Sequence, residues 1–262
     1  MSQETQTISR AVTLLRSLAD AGQPLRLVDL AAQSGIHKAT IHRLLGGLVK
    51  EGLVQRSTDR RYSLGAEAWM IGNAANRQFD LVHAVQPELK AIVDVTLDVA
   101  LLMVRVGQGA VCMAREEGSY PLKPSSLQVG SRRPLGVGAG SLAILAAMDD
   151  DAIDSILTQN EDALQGYPSY SIEKILEMVT DARRSGFAYV DGLIIPEMIA
   201  VAAPILDPKG SPIASITCSA INSRLRGARL DDACRMVVDS AARLSASPLT
   251  LKTAPNSFPE TT

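Results

Sequence analysis

Few residues in the last two thirds of this sequence could carry out acid–base or nucleophilic chemistry. No histidine follows His83, so a serine or cysteine nucleophile beyond that point would need another base. Cys218 lies in an apolar, strand-like run, where a thiol is usually buried and unreactive. Asp191 and Glu197 are the remaining acid–base pair, but the sequence shows no partner geometry for them. We therefore predict that the protein is not an enzyme.

The cysteines and histidines do not form a metal-binding pattern. The three cysteines, Cys112, Cys218 and Cys234, are widely separated and form no CxxC pair. That spacing argues against a zinc site and a disulfide framework, and it favours buried free thiols. His37 and His42 have no neighbouring cluster of cysteines or carboxylates, so we expect them to face solvent or phosphate groups. We predict neither a metal site nor a cofactor.

A different chemistry, the binding of phosphate groups, is favoured by one segment. Residues 25–65 contain seven basic residues against three acidic ones, whereas the whole chain has a formal net charge of −2. Such an asymmetry is expected when one small module contacts nucleic acid and the rest does not. A cluster of charges also marks an ordinary solvated face, so the spacing of the apolar residues has to decide.

The apolar spacing in the same segment predicts a winged helix-turn-helix. Residues 8–21 carry an amphipathic helical stripe, and two further helices are separated by a tight turn at Gly35. The small side chain of Ala31 lets these two helices cross closely, while Ile41 and Leu44 fix the second one in place. A polar turn between two short β-type pieces then predicts a hairpin wing. Any three-helix bundle can produce such spacing, and the basic wing favours DNA binding.

The exposed start of the second of these helices is expected to enter a DNA groove. Lys38, Thr40 and Arg43 can donate hydrogen bonds to phosphates or base edges. Ala39 can contact a thymine methyl group. The predicted DNA-binding residues are His37, Lys38, Ala39, Thr40, His42 and Arg43 on the helix and Arg56, Arg60 and Arg61 on the wing.

The rest of the chain alternates between helical and strand-like patterns. Strands joined by hairpins and grouped apart from helices predict a mostly antiparallel sheet with helical cover, an α+β fold. We predict a DNA-binding domain at 5–65, a linker helix at 66–79 and a second domain at 80–250.

The composition is that of a soluble globular protein, with 46% hydrophobic and 21% charged residues. The longest apolar stretches are far shorter than the roughly 20 residues that span a bilayer. The first ten residues lack the basic and then apolar pattern of a signal peptide. We expect a cytoplasmic protein without membrane association.

Both halves of the sequence resemble a known family. One segment, TISRAVTLLRSLADAGQPLRLVDLAAQSGIHKATIHRLLGGLVKEGLVQR, resembles the N-terminal domain of the IclR (isocitrate lyase regulator) family of transcriptional regulators, as does the YSLG that follows it after a short gap. The effector-binding domain of that family resembles VGSRRPLGVGAGSLAILAA, RRSGFAYVDG and AVAAPILDPKGSPIASITCSA. The resemblance covers residues 5–250, and both halves match in order. It implies a linker helix used in dimerisation, a GAF/profilin-like ligand domain, and a dimer or dimer of dimers on palindromic double-stranded operator DNA.

A glycine-rich segment at residues 136–140 directly precedes a predicted helix. Backbone N–H groups at a helix start are a natural seat for an anion such as a carboxylate, although such glycines can also serve only close packing. The resemblance implies that this helix start lines the effector pocket. Carried over by position, the effector-binding residues are Ala139, Gly140, Asp191, Met198, Ala200, Thr217 and Ser219.

Strand alternation gives two of these residues a shared direction. Thr217 and Ser219 flank Cys218, so one strand face presents both hydroxyls to the pocket. Such hydroxyls can equally well bond to the backbone.

The sequence also departs from the family pattern. Gly136 and Val190 stand where family members often have a polar and an acidic residue, so this pocket looks less polar and an aromatic or partly apolar acid fits it. Arg132 and Arg133 can pair with a carboxylate or lie at the surface, and we favour the surface.

The sequence therefore predicts a DNA-binding transcriptional regulator that responds to a small organic effector. This effector is expected to carry a carboxylate, and an aromatic acid is one candidate. Two alternatives remain open. One is a constitutive DNA-binding repressor whose C-terminal domain serves only oligomerisation, and the other is a metabolic enzyme with an accessory helix-turn-helix.

Overall fold

The computed structural model describes residues 3–76, 80–122 and 127–247. The chain forms two compact units that divide between residues 78 and 79, and each is described by itself.

The N-terminal unit is a small helical bundle with a two-stranded wing. Its elements are α1 (Gln3–Asp20), α2 (Leu27–Ser34), α3 (Lys38–Lys50), β1 (Val54–Arg56), β2 (Tyr62–Leu64) and α4 (Ala66–Asn76). Leu14, Leu30, Ile41 and Leu45 are fully buried and form the centre of its core. Strands β1 and β2 pair antiparallel, and Leu25 adds a bridge to Tyr62. The core therefore ties the wing to the three helices.

Local hydrogen bonds explain where α2 and α3 begin and end. The carboxylate of Asp29 accepts a hydrogen bond from the Arg26 backbone N–H at 3.0 Å and closes the start of α2. Gly35 ends that helix at φ 65°, a left-handed conformation that glycine adopts without a steric penalty. Its N–H donates to the carbonyl of Ala31. The predicted turn between the two helices is confirmed.

The C-terminal unit contains one sheet between two layers of helices. In chain order its elements are α5 (Asp80–Thr96), β3 (Val99–Val106), β4 (Gly109–Glu117), β5 (Arg132–Pro134), α6 (Ala139–Ala146), α7 (Asp150–Gln159), α8 (Glu161–Leu164), α9 (Ile172–Ser185), β6 (Ala188–Asp191), β7 (Met198–Leu206), β8 (Pro212–Ile221) and α10 (Ala228–Ser245). The strand order is β5-β4-β3-β8-β7-β6, and all described pairs are antiparallel.

The two faces of this sheet bury different cores. On one face, β3 packs with α6, α7 and α9, and on the other the strands pack with α5 and α10. Strand β8 belongs to both, since Ile216 and Cys218 face α5 and α10 while Thr217 and Ser219 point the opposite way. The hydroxyl-bearing face of β8 thus lies under α6, with which it is in contact.

The structure confirms the predicted α+β fold class and its antiparallel sheet. The short strand β5 and the single-turn helix α8 were not predicted, because three or four residues are too few to show a periodicity. The three cysteines are buried free thiols, as predicted. Among the described residues, no helix is both long and apolar enough to cross a membrane.

Candidate functional site

One face of α3 is exposed and polar, while the other is packed into the core. Ile41, Leu44 and Leu45 are buried, at 0%, 8% and 0% relative exposure, and point inward. The predicted reading residues on this helix, His37, Lys38, Ala39, His42 and Arg43, are exposed, and Thr40 is half-buried. The imidazole Nδ1 of His37 accepts a hydrogen bond from the Ala39 backbone N–H at 3.4 Å, which caps the helix start.

The three wing arginines have different surroundings. The guanidinium of Arg56 lies 5.7 Å from the centre of the Tyr62 ring. Arg61 donates to the carboxylate of Asp59 at 2.9 Å, and Ser57 also donates to that carboxylate. These hydrogen bonds hold the pKa of Asp59 below its usual value. Arg60 is exposed and has a φ of 62°, at the tip of the wing.

Together the helix and the wing carry a positive surface with donors at their exposed positions. Cationic side chains of this kind contact DNA phosphates, and those at a helix start reach base edges. The DNA contacts of the nine residues stay a prediction.

The C-terminal unit encloses a cavity between the sheet and the start of α6. About 580 Å³ of space lies between its atoms, and this figure includes open solvent at its mouth. Most of the wall is aliphatic, with Leu101 and Met103 of β3 and the β6–β7 loop contributing to it. Six of the residues predicted to bind the effector line it: Ala139, Gly140, Met198, Ala200, Thr217 and Ser219.

The hydroxyl groups of Ser141, Thr217 and Ser219 lie in this wall, and Ser215 is a further hydroxyl residue of β8 outside the lining. Ser215 donates to the carbonyl of Gly140 at 2.8 Å, and Ser219 donates to the carbonyl of Ile199 at 3.3 Å. The buried hydroxyls of Thr217 and Ser141 have no hydrogen-bond partner among the described residues. Because an unpaired buried hydroxyl destabilises the folded state, both groups mark a place that a ligand can complete.

The start of α6 faces the same cavity without a side-chain cap. Its N-cap residue is Gly138, at φ 81°, which has no side chain to cap the first turn, and the Gly138 N–H donates to the Tyr170 hydroxyl at 3.2 Å. The first N–H groups of a helix have no partner within the helix and attract negative charge. A Cβ at Gly140 would lie 2.8 Å from the Thr217 hydroxyl and 2.6 Å from Met103, so only glycine allows this close approach. The glycines thus serve packing and leave the helix start open.

A short apolar loop between β6 and β7 covers part of the cavity. Leu193, Ile194 and Ile195 line it, and the Gly192 N–H donates to the carbonyl of Met198 at 2.8 Å to close the loop. An apolar cover of this kind favours a ligand with a hydrophobic body.

Asp191, the seventh residue predicted to bind the effector, does not line the cavity. Its carboxylate pairs with Arg226 at 2.8 Å and accepts a hydrogen bond from Tyr189 at 3.3 Å. Arg133, in contrast, was expected at the surface and instead contributes to the cavity wall, whereas Arg132 is exposed. Ser141 was also not predicted as a cavity residue. The feature that could have identified it is its position three residues after Gly138, in the first turn of α6.

Two cysteines and one tyrosine of the C-terminal unit have raised pKa values. Burial raises the pKa of Cys218 to about 12 and that of Cys112 to about 11, so both thiols stay protonated at neutral pH. Burial likewise raises the pKa of Tyr170 to about 12.

The cavity, with its aliphatic walls, hydroxyl groups and helix start, can bind a molecule that has an apolar body and a hydrogen-bond acceptor at one end.

Two family models match this chain. Residues 7–58 match the IclR helix-turn-helix domain, and residues 73–246 match the C-terminal domain of the bacterial transcriptional regulator IclR. The chain is similar to the transcriptional repressor IclR of Escherichia coli, with 23% identity over 92% of this chain and 89% of the relative. It is also 23% identical to the regulator KipR of Bacillus subtilis, over 94% of this chain and 98% of the relative.

Solved structures share the fold. An IclR transcriptional regulator from Alicyclobacillus acidocaldarius superposes with a TM-score of 0.79 at 24% identity, over 92% of this chain and 98% of that one. An IclR homologue from Microbacterium hydrocarbonoxydans, complexed with 4-hydroxybenzoate, has a TM-score of 0.72 at 17% identity, over 91% and 97%. With both domains matched in order, the chain belongs to the IclR family of DNA-binding transcriptional regulators.

Proposed function

We propose that the protein is a ligand-responsive regulator that binds palindromic operator DNA as a homo-oligomer and holds a small organic acid in its C-terminal cavity. Binding of the acid shifts the equilibrium between states with different DNA affinity. A coupling of about 1–3 kcal/mol, or roughly 5- to 150-fold, is typical of such responses.

The DNA-binding half of the proposal is supported by the polar face of α3. The residues on this face are exposed and held by a buried apolar stripe, so they can enter a groove without unfolding of the unit. The basic tip of the wing at Arg60 supports phosphate contacts beside it.

The effector half depends on one observation. The buried hydroxyls of Ser141 and Thr217 have no partner within the described chain, and both line the cavity that receives the uncapped start of α6. Such groups are suited to an anionic oxygen acceptor, while the aliphatic walls accept an apolar body. The structural relative that is complexed with 4-hydroxybenzoate supports the same class of compound.

A thermal-shift screen tests this proposal. The panel contains small aliphatic and aromatic carboxylates, their primary amides and neutral polar compounds. A compound that binds the native state at one hundred times its Kd adds about 2.7 kcal/mol of apparent stability. We expect a carboxylate to stabilise the wild type and Thr217→Val to weaken that effect. The matched control is Thr180→Val, at an exposed threonine of α9 whose hydroxyl bonds only to its own helix.

The DNA arm of the experiment uses duplexes selected from a random library with the full chain. A stabilising compound is expected to change the affinity for the selected duplex. If no compound in the panel stabilises the protein while DNA binding is retained, the C-terminal unit serves oligomerisation and the chain is a constitutive regulator. If no duplex is enriched, the DNA-binding surface is misassigned.

A further inference from the structure

One charged side chain reaches the cavity from the edge of the sheet. Arg133 lies on the short strand β5, where Arg132 and Arg133 pair with neighbouring residues of β4. Because consecutive side chains of a strand point to opposite faces, only one of the two arginines can face inward. Arg133 is half-buried and lines the cavity, and Arg132 is exposed. Among the described lining residues, Arg133 is the only one with a charged side chain.

Tyr167 holds this guanidinium in place. Nη1 of Arg133 donates a hydrogen bond to the Tyr167 hydroxyl at 2.9 Å, and the guanidinium carbon lies 5.5 Å from the centre of the same ring. A cation over an aromatic ring is attracted by the negative face of that ring. The two contacts fix both the position and the plane of the charged group, which lowers the entropy lost when it binds an anion.

A second tyrosine connects this arrangement to the start of α6. The rings of Tyr167 and Tyr170 meet edge to face, with their centres 6.4 Å apart. The Tyr170 hydroxyl accepts a hydrogen bond from the Gly138 backbone N–H at 3.2 Å. Tyr170 is itself buried, with 3% relative exposure. The tyrosine pair therefore places the cation of Arg133 and the positive end of the α6 dipole on one cavity.

We propose that Arg133 binds the anionic group of the effector and that the effector is a monoanion with an apolar body. The inference rests on the function proposed above and adds the residue and the charge. One cation neutralises one carboxylate, and the described lining residues offer no second cation for another. A buried charge without a counter-charge is unfavourable, so dicarboxylates should bind more weakly than monocarboxylates.

The test measures Kd by calorimetry for three named monocarboxylates, benzoate, 4-hydroxybenzoate and hexanoate, and for their amides. Terephthalate and adipate serve as dianions. The proteins are the full-length wild type, Arg133→Gln, Arg133→Lys, Tyr167→Phe and the control Arg132→Gln, which removes the same charge from the neighbouring exposed position. Circular dichroism and the Tm of each unliganded variant establish that it is folded.

The expected pattern is specific to the carboxylate. Arg133→Gln should weaken binding of the best monocarboxylate by about tenfold or more, as for the loss of charge-assisted hydrogen bonds, and leave its amide within about twofold. Arg133→Lys should retain part of the affinity because it keeps the charge and loses the planar fork. Tyr167→Phe should cause a smaller loss for the acid, since it removes only the acceptor. Arg132→Gln should match the wild type, and the dianions should bind more weakly than the monoanions.

Several results would overturn the assignment. Equal binding of the acids to Arg133→Gln and the wild type would remove Arg133 from the site, as would equal losses in Arg132→Gln. If Arg133→Gln fails to fold, unchanged acid binding by both Arg133→Lys and Tyr167→Phe would contradict an anion bound by the planar guanidinium that Tyr167 holds. Binding of amides but no acids by the wild type would refute the anion and leave the cavity as a ligand site. Only the absence of binding by every compound of the wider screen would also refute the proposed effector function.

Discussion

The first N–H groups of α3 and α6 lie in different surroundings. Both helices begin with N–H groups that have no partner within the helix. At α3 the His37 side chain accepts from one of them, and the first turn is exposed. At α6 the N-cap is Gly138, which has no side chain, its N–H donates to the Tyr170 hydroxyl, and all eight helical residues are buried. The start of α3 is partly capped and open to solvent, whereas the start of α6 is buried beside the cavity, where we propose that a ligand binds.

Because of this difference in burial, we expect substitutions at the two helix starts to have different effects on stability. A polar residue on the exposed face of α3 can change without loss of stability because water replaces its contacts. A polar residue beneath α6 affects stability and ligand affinity together, because it is buried.

The largest expected effect is on the apolar face that supports α3. Ile41→Ala should destabilise the N-terminal unit by about 2–5 kcal/mol, because it leaves a cavity at a fully buried position. Hydrogen exchange followed by mass spectrometry should show lost protection in α3 and unchanged protection in β8. Val49→Ala, at an exposed position of the same helix, is the control and should change stability by no more than about 0.5 kcal/mol. Equal loss of protection in both units would show that they do not unfold separately.

The next largest expected effect is on the DNA affinity of the exposed face of α3. Arg43→Ala should weaken binding to a selected duplex by about 1–3 kcal/mol and leave the Tm unchanged. If Arg43 contacts a phosphate, the slope of log K against log salt falls by about one. Arg184→Ala, at an exposed arginine of α9, is the charge-matched control. An affinity equal to that of the wild type at the same salt would take Arg43 off the reading surface.

A smaller effect of opposite sign is expected beneath α6. Thr217→Val replaces a buried hydroxyl that has no partner among the described residues with a methyl group of similar shape. The unliganded protein should gain about 1 kcal/mol of stability, because the cost of burying that hydroxyl is removed. Chemical denaturation measures the gain. A loss of stability comparable to a core truncation would mean that Thr217 is already satisfied in the unliganded protein.

The smallest effect distinguishes two glycines of the DNA-binding unit. A Cβ at Gly47 of α3 meets no described atom within 4 Å, so Gly47→Ala should add about 1 kcal/mol of stability from helix propensity. Gly35→Ala should destabilise instead, since its φ of 65° disfavours a side chain. Denaturant midpoints of the two variants on opposite sides of the wild type are expected. A lower midpoint for Gly47→Ala would indicate a contact with this surface that the unliganded chain does not show.

The sequence predicts the N-terminal unit well because its signals are local. The spacing of Ala31, Gly35, Ile41 and Leu44 lies within a few turns on either side of one glycine, so the helical period and the turn are both visible. The alternation of β8 is visible for the same reason, and it correctly separates Cys218 from its hydroxyl-bearing neighbours.

The cavity depends on long-range pairing, which a local pattern does not contain. Which of Arg132 and Arg133 faces inward is set by the register of a three-residue edge strand against β4. Asp191 lies at the end of strand β6, which the sequence pattern indicates. Its ion-pair partner Arg226 comes from a distant segment, and no local pattern shows that contact. Ser141 lies within an apolar helix and resembles an ordinary core position until its hydroxyl is found without a partner in the described part of the chain.

We propose that a ligand bound in the cavity beneath α6 changes the affinity of the exposed face of α3 for DNA. The most direct measurement is the affinity of the full chain for its selected duplex, with and without the monocarboxylate that stabilises it most, in the wild type and in Thr217→Val. We predict a change of roughly 5- to 150-fold in the wild type and a clearly smaller response at the same ligand concentration in the variant. A wild-type affinity for DNA that stays constant while the cavity is saturated would show that the cavity does not regulate DNA binding.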